Sequence, residues 1–151
     1  QMMKDTVNQE YTEVGQELMK ESAAKKEKMI TVLDQMMVLF PDSSVPYDNN
    51  MVNVAQLYQQ LGKPEKASEI INTMMPRTFS ELEYYYQMAR NSTATAQMYQ
   101  DDQMRSEQTV YLGIEILKKS DAKDQADTYD KQWEALRMKY GIPDLNERRR
   151  R

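Results

Sequence analysis

Apolar side chains recur every three or four residues through most of this chain, an interval that suits a helix and not a strand. Val7, Tyr11, Val14 and Leu18 are spaced by four, three and four, where a half-buried strand would alternate. Ile30, Leu33, Met37 and Phe40 repeat the pattern after the lysine-rich "KKEK". Met51, Val54, Ala55, Tyr58 and Leu61 form a third stripe, and Ala67, Ile70, Ile71 and Met74 a fourth. Later come Met98, Val110, Tyr111, Ile114 and Leu117, then Ala122, Ala126, Tyr129, Trp133, Leu136 and Tyr140. With 4 Gly and 5 Pro in 151 residues, the chain lacks the turn signals that a β-sandwich needs about every 8–12 residues. The expected fold is all-α, with no strand.

Turn chemistry divides these stripes. Pro41 ends the second, and "FPDSSVPYDNN" is the longest run of turn residues. Asp48 is suited to cap the next helix, because its carboxylate can accept an amide hydrogen of the first turn that has no partner in the helix. Gly62 fits the left-handed position that follows a helix, and Pro64 fits the first turn of the next, where its missing amide hydrogen does no harm. "LGKPEKA" thus reads as the hinge of an antiparallel hairpin, with small Ala67 allowing close approach and Tyr58 and Ile71 filling the space between. Pro76 is expected to halt the second arm. Beyond it, Thr78 with Glu81 and Ser80 with Glu83 are two overlapping capping-box candidates. "NSTAT" precedes a long polar helix, and Gly141 and Pro143 end the last one. "KESAAKKEK" suits either a loop or the exposed middle of one long helix, since Ala, Lys and Glu are good helix formers. About six or seven antiparallel helices follow from this reading, as a single domain over 1–147 with a basic tail over 148–151.

Composition excludes more chemistry than it suggests. With 0 His and 0 Cys, imidazole bases, thiol nucleophiles, disulfides and the usual zinc sets are absent. Carboxylate pairs such as Asp101–Asp102 or Glu81–Glu83 are inevitable by chance among 24 acidic residues, and neighbouring helix positions point apart. No catalytic residue, metal ligand or cofactor is assigned. A net charge of -4 argues against nucleic acid, which requires a basic face. The exception is "RRRR", Arg148 to Arg151, a solvated tail or an attraction to anionic lipid or an acidic partner. No apolar run approaches the roughly 20 residues of a membrane span. The start at Gln1, without an initiator Met, suggests a processed product or an excised piece. The 13 Met read best as core filling, with Met37, Met51, Met74 and Met98 on the expected buried stripes; copper binding would need several sulfurs converging. In "EYYYQ", Tyr84, Tyr85 and Tyr86 cannot share one helix face, so at least one ring is exposed and suited to a sugar or peptide contact.

The hairpin resembles the tetratricopeptide repeat family. Val54 and Ala55 stand at that motif's Leu and small residue, Tyr58 at its aromatic, Gly62 at its turn, Ala67 at its second small position and Ile71 at its large one. Met51 departs from the usual Trp, Pro76 comes too early for the final Pro, and the match covers roughly residues 48 to 75 without a regular period elsewhere. The resemblance implies a short right-handed solenoid of stacked hairpins whose first helices line a concave groove, so that Asn49, Asn53, Gln56 and Gln60 face a peptide or protein segment there. Neutral amides hydrogen-bond a peptide backbone or a glycan hydroxyl without the desolvation cost of a charge; the alternative is a solvated helix face. The stretch "FPDSSVPYDNNMVNVAQLYQQLGKPEKASEI" is also similar to the soluble C-terminal region of a bacterial membrane protein family that resembles protein O-mannosyltransferases. That similarity implies an accessory domain on the extracytoplasmic, periplasmic side of a membrane-embedded parent, positioning substrate or stabilising a glycosyltransferase whose chemistry lies elsewhere. Three functions stay open on this reading: a peptide-binding module, such an accessory domain, and a carbohydrate-binding module.

Overall fold

Among the described residues six helices account for nearly every position, and no strand occurs. The computed structural model describes residues 2–39 and 48–144. The stretch "FPDSSVPY", the terminal "RRRR" and the side chains of Val7, Tyr11, Asp48 and Asn49 lie outside the described residues. The chain divides into two compact units, Gln1–Ser44 and Val45–Arg151.

The first unit contains α1, Met2–Leu39. "KESAAKKEK" is helical throughout, so the two leading stripes belong to one continuous helix. Its length is about 57 Å at 1.5 Å per residue. Val14 and Leu18, expected on a buried stripe, are instead exposed, and so are Met29 and Val32.

The second unit opens with α2, Asp48–Gln60, and α3, Pro64–Asn91. Gly62 takes a φ of 78°; its N–H donates to the Gln59 carbonyl at 3.1 Å, while the Lys63 N–H reaches back to Tyr58 at 2.8 Å. These two bonds satisfy carbonyls that the end of α2 would otherwise leave bare. Pro64 then starts α3 at its first turn. Ala55, Tyr58, Ala67 and Ile71 are all buried where α2 and α3 pack together, with the Ile71 Cγ2 also against Gly113 of α5.

Pro76 does not halt α3. The helix runs through it for 28 residues, because Ile71, Met74, Met75, Thr78, Phe79 and Leu82 stay in phase and buried on both sides of the proline. Burying that stripe, at about 1.5–3 kcal/mol per large apolar side chain, outweighs a mid-helix proline costing about 3 kcal/mol. The capping boxes are therefore not formed. The Thr78 hydroxyl donates to the Met74 carbonyl and the Ser80 hydroxyl to the Pro76 carbonyl, each four residues back in an unbroken helix. Since the Pro76 ring is exposed, Pro76→Ala is expected to stabilise the protein by about 1–3 kcal/mol, read as a higher denaturation midpoint.

After α3 come α4 (Thr93–Met98), α5 (Gln100–Lys119) and α6 (Lys123–Tyr140). The long polar helix expected after "NSTAT" is thus split at Tyr99. Ser92 caps α4, its hydroxyl accepting the Thr95 N–H at 3.1 Å. Met98 is 70% exposed because this break takes it out of phase with the buried face of α5. Tyr111 is exposed as well, since it lies about 100° around the helix from buried Val110. Met51 and Met74 are core residues as expected, and Met37 is half-buried. The α5–α6 turn repeats the hinge geometry with Asp121 at a φ of 57° and the Ala122 N–H bonded to Leu117. Asp121→Gly should relieve that left-handed strain and raise stability by about 0.5–1 kcal/mol, measurable by urea titration.

α3 is the axis of the second unit and packs against α2, α4, α5 and α6. α5 lies along α2 as well as α3, and its other neighbours are α4 and α6. Close approach of α5 to α3 depends on Gly113, where an added Cβ would meet the Met75 methyl at 2.6 Å and the Ile71 Cγ2 at 3.3 Å. Gln59 fastens α2 to the end of α5: its amide donates to the Ile116 carbonyl at 3.1 Å and to the Ser120 hydroxyl at 2.9 Å. That carbonyl belongs to the last turn of α5, where no intrahelical donor remains.

Candidate functional site

One buried polar junction joins α3, α5 and α6, and three surfaces of the second unit lie on these helices and on α2. Tyr86 of α3 donates its hydroxyl hydrogen to Glu107 Oε2 of α5 at 2.8 Å, and Trp133 Nε1 of α6 donates to the same Tyr86 oxygen at 3.1 Å. Tyr86, Glu107 and Trp133 are 0%, 2% and 6% exposed. A buried carboxylate is tolerable only when hydrogen-bonded, and here the bonds also fix how α6 lies on α3 and α5. The Arg137 guanidinium rests over the Trp133 ring at 5.1 Å from its centre. Sequence reasoning gave Glu107 no role, although its phase was informative: it precedes Val110, Ile114 and Leu117 by three, seven and ten residues, on the buried stripe of α5.

The first surface is an open cleft of about 380 Å³ between α3 and α6, lined by Pro76, Phe79, Ser80 and Glu83 on one side and by Gln132, Ala135, Leu136 and Lys139 on the other. One end is closed by Glu83, whose Oε1 accepts from Lys139 Nζ and from the Tyr140 hydroxyl, each at 2.8 Å. Those bonds, Lys139 first and Tyr140 second, hold the Glu83 carboxyl below its ordinary value of 4.5, and the Lys139 ammonium is raised by the same contact. A carboxyl with a lowered folded pKa adds stability above its unfolded pKa, and that stability is lost as pH falls through the folded value. The α3–α6 seam should therefore loosen below about pH 4.5. Glu83→Gln should flatten this acid-side step in a pH series of melting curves while leaving the neutral-pH fold intact.

The second surface gathers the tyrosines. Tyr84, Tyr85 and Tyr99 meet pairwise, with ring centres 5.7 to 5.9 Å apart. Tyr84 is exposed and Tyr85 and Tyr99 are half-buried. A hydrogen bond with Tyr84 raises the Tyr99 phenol above its usual range. Tyr86, grouped with its neighbours in the sequence, is a core residue and offers no contact surface. Tyr99 was missed because it reaches the cluster from the α4–α5 break.

The third surface is the amide face of α2. Asn53 and Gln60 are exposed and Gln56 is half-buried; with Asn49, whose side chain is outside the described residues, they recur at four, three and four and so occupy one side of the helix. Gln59 turns the other way, into α5. The exposed face of the adjacent α5 carries Met104, Gln108 and Tyr111.

Compared with known proteins, the chain matches no family model, no curated protein and no solved structure. Among the described residues no cluster of acidic side chains could hold a metal ion, and no helix is long and apolar enough to cross a membrane. The three surfaces carry amides, phenols and one ion pair, groups suited to binding.

Proposed function

We propose that the Val45–Arg151 unit is a non-catalytic helical-repeat module that holds an extended peptide or protein segment against α2 and α5. The observation that carries this reading is the order of neighbours. α5 packs on both arms of the α2–α3 hairpin, and α6 returns to pack on α3 and α5. Two hairpins stacked in the tetratricopeptide manner require that order, with α2 and α5 as the two first helices lining one groove. The amides of Asn53, Gln56 and Gln60 then supply donors and acceptors for a peptide backbone, while Met104 and Tyr111 supply apolar contact. Lack of His and Cys supports the non-catalytic part of the reading.

A displayed library of random peptides, panned on the purified protein, tests it. Selected peptides should bind Asn53→Ala/Gln56→Ala at least about tenfold more weakly, a loss of some 1.4 kcal/mol, with no fall in melting temperature. Equal binding to both proteins would reject that face. The Tyr84–Tyr85–Tyr99 cluster favours a second reading, a glycan-binding site that stacks a sugar on exposed Tyr84. Titration with neutral oligosaccharides should then give a signal that Tyr84→Ala abolishes, and silence from the unsubstituted protein would discard it. In the setting implied by the mannosyltransferase-like resemblance, either site would serve an accessory domain that positions substrate for a membrane glycosyltransferase.

A further inference from the structure

We infer that α1 pairs with α1 of a second copy of this chain, antiparallel, about a two-fold axis at Ala23. The motivating feature is an exposed stripe whose order reads as its own complement. Val14, Leu18, Met29 and Val32 are 47% to 60% exposed, and Glu21 and Lys25 between them are exposed too. At about 100° per residue these six positions fall within an arc of roughly 80° on one side of the helix.

Their order along the helix is apolar, apolar, acidic, basic, apolar, apolar, and it is centred. Val14 and Val32 lie nine residues before and after Ala23, Glu21 and Lys25 two before and two after, and Leu18 and Met29 five before and six after. In an antiparallel pair centred there, Val14 meets Val32 of the second copy, Leu18 lies beside Met29, and Glu21 faces Lys25. The same three contacts recur with the copies exchanged, which is what an isologous two-fold interface requires. A parallel pair in register would put Glu21 on Glu21 and Lys25 on Lys25, a repulsive arrangement. Charge thus selects one orientation and one register, while the apolar ends supply the burial. An exposed apolar stripe on a helix of 38 residues is otherwise a liability to non-specific association.

The whole chain provides a clean test because it has 0 Cys. Sedimentation equilibrium should show a concentration-dependent dimer. Leu18→Glu, at an exposed position, should weaken it at least about tenfold with an unchanged circular-dichroism spectrum. Mixing Val14→Cys with Val32→Cys under mild oxidation should give the mixed disulfide. Val14→Cys alone should stay uncross-linked, since the axis separates the two copies of that position by about 27 Å at 1.5 Å per residue. A monomer at every concentration, a dimer indifferent to Leu18→Glu, or efficient cross-linking of Val14→Cys to itself would overturn the proposal.

Discussion

Replacing Trp133 with alanine is expected to cost about 3–5 kcal/mol, the range for truncating a buried Phe or Trp, and to free α6 before the rest of the second unit melts. Burial explains most of the loss, because Trp133 and Ala126 are the two buried residues of α6. Its indole also donates to the Tyr86 hydroxyl that serves Glu107, so truncation removes a donor from a buried junction as well as apolar area. Trp133→Phe separates the contributions: it keeps most of the area, drops the donor, and should cost only about 1–3 kcal/mol. Urea denaturation followed by circular dichroism gives both values. Hydrogen exchange gives the order of melting, with amides of 123–140 losing protection first in the alanine variant. Equal losses for the two variants would mean that the ring's area contributes little.

The α3–α5 contact carries the second large effect. Met75 is fully buried and its methyl lies where a Gly113 side chain would begin. Met75→Ala should cost about 2–5 kcal/mol through lost contact and the cavity left behind. Gly113→Ala alone should be nearly neutral, as its gain of about 1 kcal/mol in helix propensity is spent displacing a flexible methionine end. In the Met75→Ala background the nearer obstacle is gone and only the Ile71 Cγ2 at 3.3 Å remains, so most of the Gly113→Ala gain should appear and the new methyl should partly refill the cavity. The two substitutions would then couple by about 0.5–3 kcal/mol in a double-mutant cycle. Strict additivity would show that the helices do not depend on glycine for their approach.

Local causes were legible in the sequence and long-range ones were not. The α2–α3 hinge was legible because its causes are local: Gly62 supplies the left-handed turn and Pro64 the preset first turn, and both act within a few residues. Pro76 was misleading for the complementary reason. Its local cost is real, but the stripe from Ala67 to Tyr86 keeps helical phase through it, and burial on that scale overrides a single breaker. The split of α4 from α5 at Tyr99 had no comparable signal, and Met98 was placed on the wrong face as a result.

For the candidate sites, periodicity could place Asn53, Gln56 and Gln60 on one side of α2 and could say that Tyr84, Tyr85 and Tyr86 diverge. The phase of Phe79 and Leu82, seven and four residues earlier, points Tyr86 inward, but it could not identify the partners of that hydroxyl, Glu107 and Trp133, 21 and 47 residues away. Glu107 itself resembles a solvated charge until its phase relative to Val110 and Ile114 is taken into account. Contacts made across helices are set by tertiary packing, which a one-dimensional pattern records only as an unexplained polar residue on an apolar face.

Amide chemical-shift mapping with a library-selected peptide tests most directly whether the second unit is a binding module with α2 and α5 as its working face. Perturbed amides should cluster on α2 around 53–60 and on the exposed side of α5 around 104–111, with those of α6 unchanged. Perturbations confined to the cleft between Phe79 and Leu136, or a spectrum unmoved by any selected peptide, would contradict that assignment.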